Sequence, residues 1–155
     1  MTQRDSTTLR SACDADLPAL SDLCFRSKAV WGYDAAFMEA CRAELTLTPN
    51  DLTQSCVQVA ESGGRVVGVV QVAVTGSEAS LEKLFVSPDA LRSGAGRRLF
   101  TWAAEMARQR GARTLTIESD PGAADFYRRM GARDAGRALS GSIPGRWLPR
   151  LALDL

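Results

Sequence analysis

Histidine is absent from this chain of 155 residues, and that absence removes more chemistry than any other feature of its composition. Without imidazole there is no Ser-His-Asp or Cys-His nucleophile system, and the commonest zinc ligand is missing. Acid-base work falls to carboxylates, tyrosine, cysteine, lysine or water. Lysine is scarce too: Lys28 and Lys83 are the two, and every other cationic side chain is arginine. Neither sign of charge is in excess. A formal net charge of +1 argues against nucleic acid or an anionic membrane as the main partner. No apolar run approaches the ~20 residues that span a bilayer, and "MTQRDSTTLR" lacks a secretory pattern. Cys13, Cys24, Cys41 and Cys56 show no C-x-x-C pairing. Reduced thiols in a cytoplasmic protein are therefore expected, with no metal, no nucleic acid and no membrane partner.

What is present is ordinary globular patterning, long enough for one domain over residues 1–155 with a real core. "TTLRSAC" reads as a first strand, about Thr7 to Ala12. Asp14 is expected to cap a helix with Leu17, Leu20 and Cys24 on one face, running to about Ala29. Asp34 looks like a second cap, ahead of Phe37, Met38, Cys41 and Leu45, and Pro49-Asn50 reads as the end of that helical region. "CVQVAE" and "RVVGVVQVAVTG" around "SGG" form a hairpin, and "ASLEKLFV" is a fourth strand. Gly94 to Arg110 carries Leu99, Trp102, Ala103 and Met106 at helical spacing, and Gly111 stops it. "RTLTIE" is a fifth strand. Pro121 opens a short helix with Ala123, Phe126, Tyr127 and Met130 on one stripe, closed by Gly131. "GRALS" and "RWLPRLALDL" read as the last two strands. The order β-α-α-β-β-β-α-β-α-β-β is a mixed α/β (α+β) domain.

The stretch "LFVSPDALRSGAGRRLF" places Gly94 and Gly96 between a strand and a helix. Such glycines let the backbone approach a ligand, and the N–H groups and dipole of the helix start favour an anion such as a pyrophosphate. A plain flexible loop is the alternative. Two familiar phosphate loops are excluded, because Leu99 stands where a Rossmann fingerprint needs its third glycine and a P-loop its Gly-Lys pair. The stretch does resemble the signature of the GNAT superfamily of acyl-CoA-dependent N-acyltransferases. That signature is a strand ending V-x-P, then Q/R-x-x-G-x-G/A at the head of a long helix. It falls here on Val86-Ser87-Pro88 and on Leu91-Arg92-Ser93-Gly94-Ala95-Gly96, with Leu91 in the place of Gln or Arg. One helix and one strand later, "DPGAADFYRRMGA" resembles the family's N-x-x-A-x-x-[FL]-Y-x-x-[LM]-G segment, with Asp120 for Asn. "SKAVWGYD" and "GSIPGRWLP" are similar to stretches of a small bacterial subgroup.

The resemblance implies a mixed, mostly antiparallel sheet of about seven strands flanked by about four helices. It implies acetyl-CoA as co-substrate, and an amine of a small molecule or peptide as acceptor, acetylated by direct attack. A non-catalytic CoA-binding sensor or structural module is the alternative, and a homodimer stays open. CoA would lie against Leu84, Phe85 and Val86 at the strand end, then Leu91, Arg92, Ser93, Gly94, Ala95, Gly96 and Arg97. Asp120, Ala123, Phe126 and Tyr127 would complete its site. Main-chain N–H groups near Phe85 or Val86 would hold the oxyanion. Tyr127 matches the family tyrosine near the CoA sulfur and is the candidate acid, or else a core aromatic. Glu82 and Glu118 compete as base, with Glu82 slightly favoured and solvent exposure as the bland reading of each. Trp31 and Tyr33 are read as one wall of the acceptor pocket, Arg146 and Trp147 as the other, with simple packing as the alternative.

Overall fold

The computed structural model describes residues 7–155. Among these residues, seven strands form one sheet in the order β1-β2-β3-β4-β5-β7-β6. They are β1 (Thr8–Ser11), β2 (Cys56–Ser62), β3 (Arg65–Thr75), β4 (Glu78–Val86), β5 (Thr114–Glu118), β6 (Arg133–Leu139) and β7 (Trp147–Asp154). Every pairing is antiparallel except β4 with β5. The helices are α1 (Leu17–Ala29), α2 (Ala35–Leu45), α3 (Pro49–Gln54), α4 (Ala95–Gln109) and α5 (Ala124–Arg129). The expected element order and mixed sheet are therefore present.

Alternation along the central strands sends side chains to two separate cores. Val70 and Val72, with Leu115 and Ile117, pack under Leu99, Phe100, Ala103 and Ala107 of α4. Val57, Val59 and Val69 pack under Leu20, Leu23 and Cys24 of α1 and Met38, Cys41 and Leu45 of α2. On β4, Leu84 and Val86 join the first core and Phe85 the second. The helices α4 and α5 thus cover one face of the sheet, and α1 and α2 the other.

Local chemistry corrects three of the expected details. Asp14 does not cap α1. It opens a single turn of tighter helix, Asp14–Asp16, and Asp16 reaches back to accept the Cys13 N–H at 2.8 Å. Pro49 starts a helix rather than ending one, which makes five helices among the described residues where four were expected. Proline suits the first turn because its missing N–H would be unpaired there anyway. Asp51 completes the cap by accepting the Thr48 N–H at 2.8 Å. The sixth strand begins at Arg133, ahead of "GRALS", and continues past a register shift between Asp134 and Arg137. Among the described residues no helix is long and apolar enough to cross a membrane.

Candidate functional site

The parallel pairing of β4 with β5 ends at Leu81 opposite Ile117. Beyond that point β4 runs on to Val86 with β3 alone, while β5 stops at Glu118 and the Ser119 N–H is taken by the Pro149 carbonyl at 2.9 Å. The two strands part. Every second N–H of β4 beyond Leu81 consequently points into a gap with no strand to receive it. A bulge marks the parting: Leu81 faces Val72 and Lys83 faces Gln71, so Glu82 is the extra residue. Bulges re-aim side chains, and this one turns Glu82 into the gap.

A cleft of about 440 Å³ fills this gap and draws walls from both faces of the sheet. From the α4 and α5 face come Leu91, Gly96, Ala123, Phe126 and Tyr127, and from the α1 and α2 face Ser27, Lys28, Trp31 and Glu44. Leu84, Phe85, Val86, Glu82, Glu118 and Asp120 line it between them. Glu82 and Glu118 are exposed, and neither has an ion pair or side-chain hydrogen bond among the described residues. Both are free to take a proton from a ligand, directly or through water.

At one mouth lies the start of α4. Gly94 caps that helix with φ +84°, a left-handed conformation that glycine adopts without strain. The first intrahelical bond runs from Arg98 N–H to the Gly94 carbonyl at 3.1 Å, and Ala95 N–H turns to the Ser93 hydroxyl at 3.2 Å. The N–H groups of Gly94, Gly96 and Arg97 find no acceptor among the described residues. Three donors and the positive end of a fifteen-residue helix give this turn the chemistry to receive an anion.

Tyr127 lies deeper. Its ring packs between Phe126, 5.2 Å away, and Phe100, 5.7 Å away. Burial pushes its hydroxyl above the usual phenol range. The hydroxyl has no hydrogen-bond partner among the described residues, yet no buried side-chain N or O among them is left unpartnered. It therefore opens onto the cleft.

Residues 19–132 match the model of the acetyltransferase (GNAT) family. The chain belongs to that family. A curated N-acetyltransferase of Bacillus subtilis, YhfO, is 36% identical over 73 residues, covering 43% of this chain and 49% of that protein. The chain thus spans about half the length of that relative. The PaiA N-acetyltransferase of Thermoplasma acidophilum, solved with coenzyme A, superposes with TM-score 0.79 at 14% identity, over 97% of this chain and 99% of that one. The ribosomal-protein-alanine N-acetyltransferase of Brucella melitensis gives TM-score 0.69 at 26% identity, over 96% and 99%.

Within this GNAT chain several expected site residues fall outside the cleft wall. Arg92 and Arg97 are exposed beside the head of α4, with Ser93, Gly94 and Ala95 forming the turn itself. Trp147 stands exposed under the Arg137 guanidinium, 4.3 Å from its ring, and Leu148 lines the cleft in its stead. Tyr33 and Arg146 do meet, although neither touches the cleft directly. Asp120 Oδ2 accepts the Tyr33 hydroxyl at 2.6 Å, and Tyr33 in turn accepts from Arg146 at 2.7 Å. Burial and the Asp120 hydrogen bond push the Tyr33 hydroxyl up to about 12. Trp31 packs against Gly122, where a Cβ would fall 2.6 Å from the indole. Sequence reasoning passed over Ser27, Lys28, Glu44 and Arg129, all of which line the cleft. "SKAVWGYD" contains two of them, but helical spacing alone gave no reason to single them out.

Proposed function

We propose that the chain transfers an acetyl group from acetyl-CoA to a primary amine by direct attack within a ternary complex. The observation that carries this reading is the cleft joining the two faces of the sheet where β4 and β5 part. Acetyl-CoA enters beside α4, with its pyrophosphate on the N–H groups of Gly94, Gly96 and Arg97 and its pantetheine arm along β4. Arg129 of the cleft wall, with the exposed Arg92 and Arg97 beside the head of α4, would draw in its phosphates. The amine enters from the α1 and α2 face and meets the thioester in the gap.

An alkylammonium has a pKa of ~10.4 and must lose a proton before it attacks. Glu82, turned into the gap by the bulge, is the preferred base, with Glu118 across from it. Unreceived N–H groups of β4 hold the oxyanion, and preorganised donors of this kind stabilise developing charge strongly in a confined site. Tyr127 keeps its proton and donates it toward the leaving sulfur. A thiolate with pKa of about 8.5 gains only partly from a phenol raised above its usual value, so this contribution is modest.

The test combines melting curves with thiol release. CoA and acetyl-CoA should raise the melting temperature, because a ligand bound only to the folded state stabilises it by mass action. NAD at equal concentration should not. An equal shift with NAD would contradict the CoA site. A CoA shift without thiol release for any amine would favour a binding module over an enzyme.

A further inference from the structure

Two lysines line the cleft: Lys83 donates to the Gln71 side-chain oxygen at 2.9 Å, whereas Lys28 donates no hydrogen bond among the described residues. Lys28 sits in the last turn of α1, its side chain 14% exposed, and its ammonium makes no hydrogen bond among the described residues. Its nearest anion, Asp120 Oδ2, is 3.6 Å away. That carboxylate is already engaged: Oδ2 accepts Tyr33 at 2.6 Å, and Oδ1 accepts the Gly122 N–H at 3.1 Å. Arg146 approaches the same oxygen at 3.5 Å. One carboxylate thus serves two cations and saturates neither.

The stacked rings of Tyr33 and Phe37, 4.0 Å apart, restrain Lys28 from the side at 5.5 and 6.0 Å. No buried side-chain nitrogen among the described residues lacks a partner, so the ammonium opens into the cleft that Lys28 lines. A half-buried ammonium gains far more from an incoming anion than an exposed one. Glu44, an acid of the same wall, is exposed and accepts the Ser142 hydroxyl. Solvent therefore screens it.

We propose that Lys28 anchors a carboxylate of the acceptor, so that the substrate is an amino acid or a similarly small amine carboxylate. The inference rests on the transfer reading above. Such a zwitterion matches the charges along the cleft: its amine faces Glu82 and Glu118 at the parted strands, and its carboxylate faces Lys28. A diamine would set its second ammonium against Lys28, and like charges in a confined site repel.

The experiment uses the full chain with CoA for calorimetry and with acetyl-CoA for thiol release. The probes are the proteinogenic amino acids, their carboxamides and putrescine. At least one free acid should bind and turn over better than its carboxamide by about 10- to 100-fold, the range of a hydrogen bond to a charged group. Lys28→Met should bring that ratio close to unity, while Lys28→Arg should retain a preference, with melting curves controlling for folding. A carboxamide or putrescine used as well as the acid would overturn the carboxylate anchor and leave the transfer reading intact. An unchanged acid-to-amide ratio in Lys28→Met would do the same. Acid binding that depends on Lys28 without any thiol release would keep the anchor and overturn the transfer reading. Neither binding nor release with any probe would overturn the proposal.

Discussion

Tyr127 is held by packing on the ring and freed at the hydroxyl, so the two roles of the side chain separate by mutation. Tyr127→Phe keeps the contacts with Phe100 and Phe126 and removes the proton. General acids contribute roughly 10²- to 10⁴-fold, and the low end is expected because water can substitute. KM for acetyl-CoA should barely move, since an interaction made in the transition state lowers turnover and not binding. Equal turnover in steady-state kinetics of the two proteins would reduce Tyr127 to a core aromatic. Gly94 gives an independent test of the donor site. Gly94→Asp forces a side chain into a φ of +84° and sets a negative charge where the proposed site would hold the pyrophosphate. The CoA-induced rise in melting temperature should vanish in a variant that still folds, and a persisting rise would move the site elsewhere.

Elements differ in how much of their fate the chain declares. Helix α4 was plain because its apolar stripe, its glycine start and its glycine stop all agree. Helix α3 was not, since Pro49 fits a helix end and a first turn equally well, and only the Thr48–Asp51 cap decides. The parting of β4 from β5, the bulge at Glu82 and the meeting of Lys28, Tyr33, Asp120 and Arg146 depend on pairings between distant segments, which no local pattern records. Asp16 illustrates the same limit and carries a pH prediction. Its carboxylate takes two hydrogen bonds from Arg10 at 2.8 Å, and Arg10 also pairs with Glu61 on β2. The Arg10 guanidinium, against the opposing effect of burial, holds the Asp16 carboxyl well below its usual range. Its stabilising contribution is present above the unfolded value of ~3.9 and is lost as pH falls through the folded one. Urea midpoints should therefore drop on going from about pH 5 to about pH 2. Asp16→Asn should lower the midpoint at neutral pH and flatten the slope across that window. A variant with the parent's slope would show that the tie between β1 and the start of α1 contributes nothing.

At the scale of the whole molecule the described sheet is a partition that opens between β4 and β5. Cores on its two faces are separately packed, and the cleft between β4 and β5 joins them where parallel pairing stops after Leu81. Under the proposed transfer, donor and acceptor would reach the reacting point from opposite sides and occupy it together, with no covalent enzyme intermediate and no need for CoA to leave before the amine arrives. Initial rates of thiol release, measured over a grid of acetyl-CoA and amine concentrations, test this most directly. Double-reciprocal lines that intersect are the predicted result, because both substrates must be bound before the acetyl group moves. Parallel lines, with acetylated protein isolated in the absence of amine, would contradict the account.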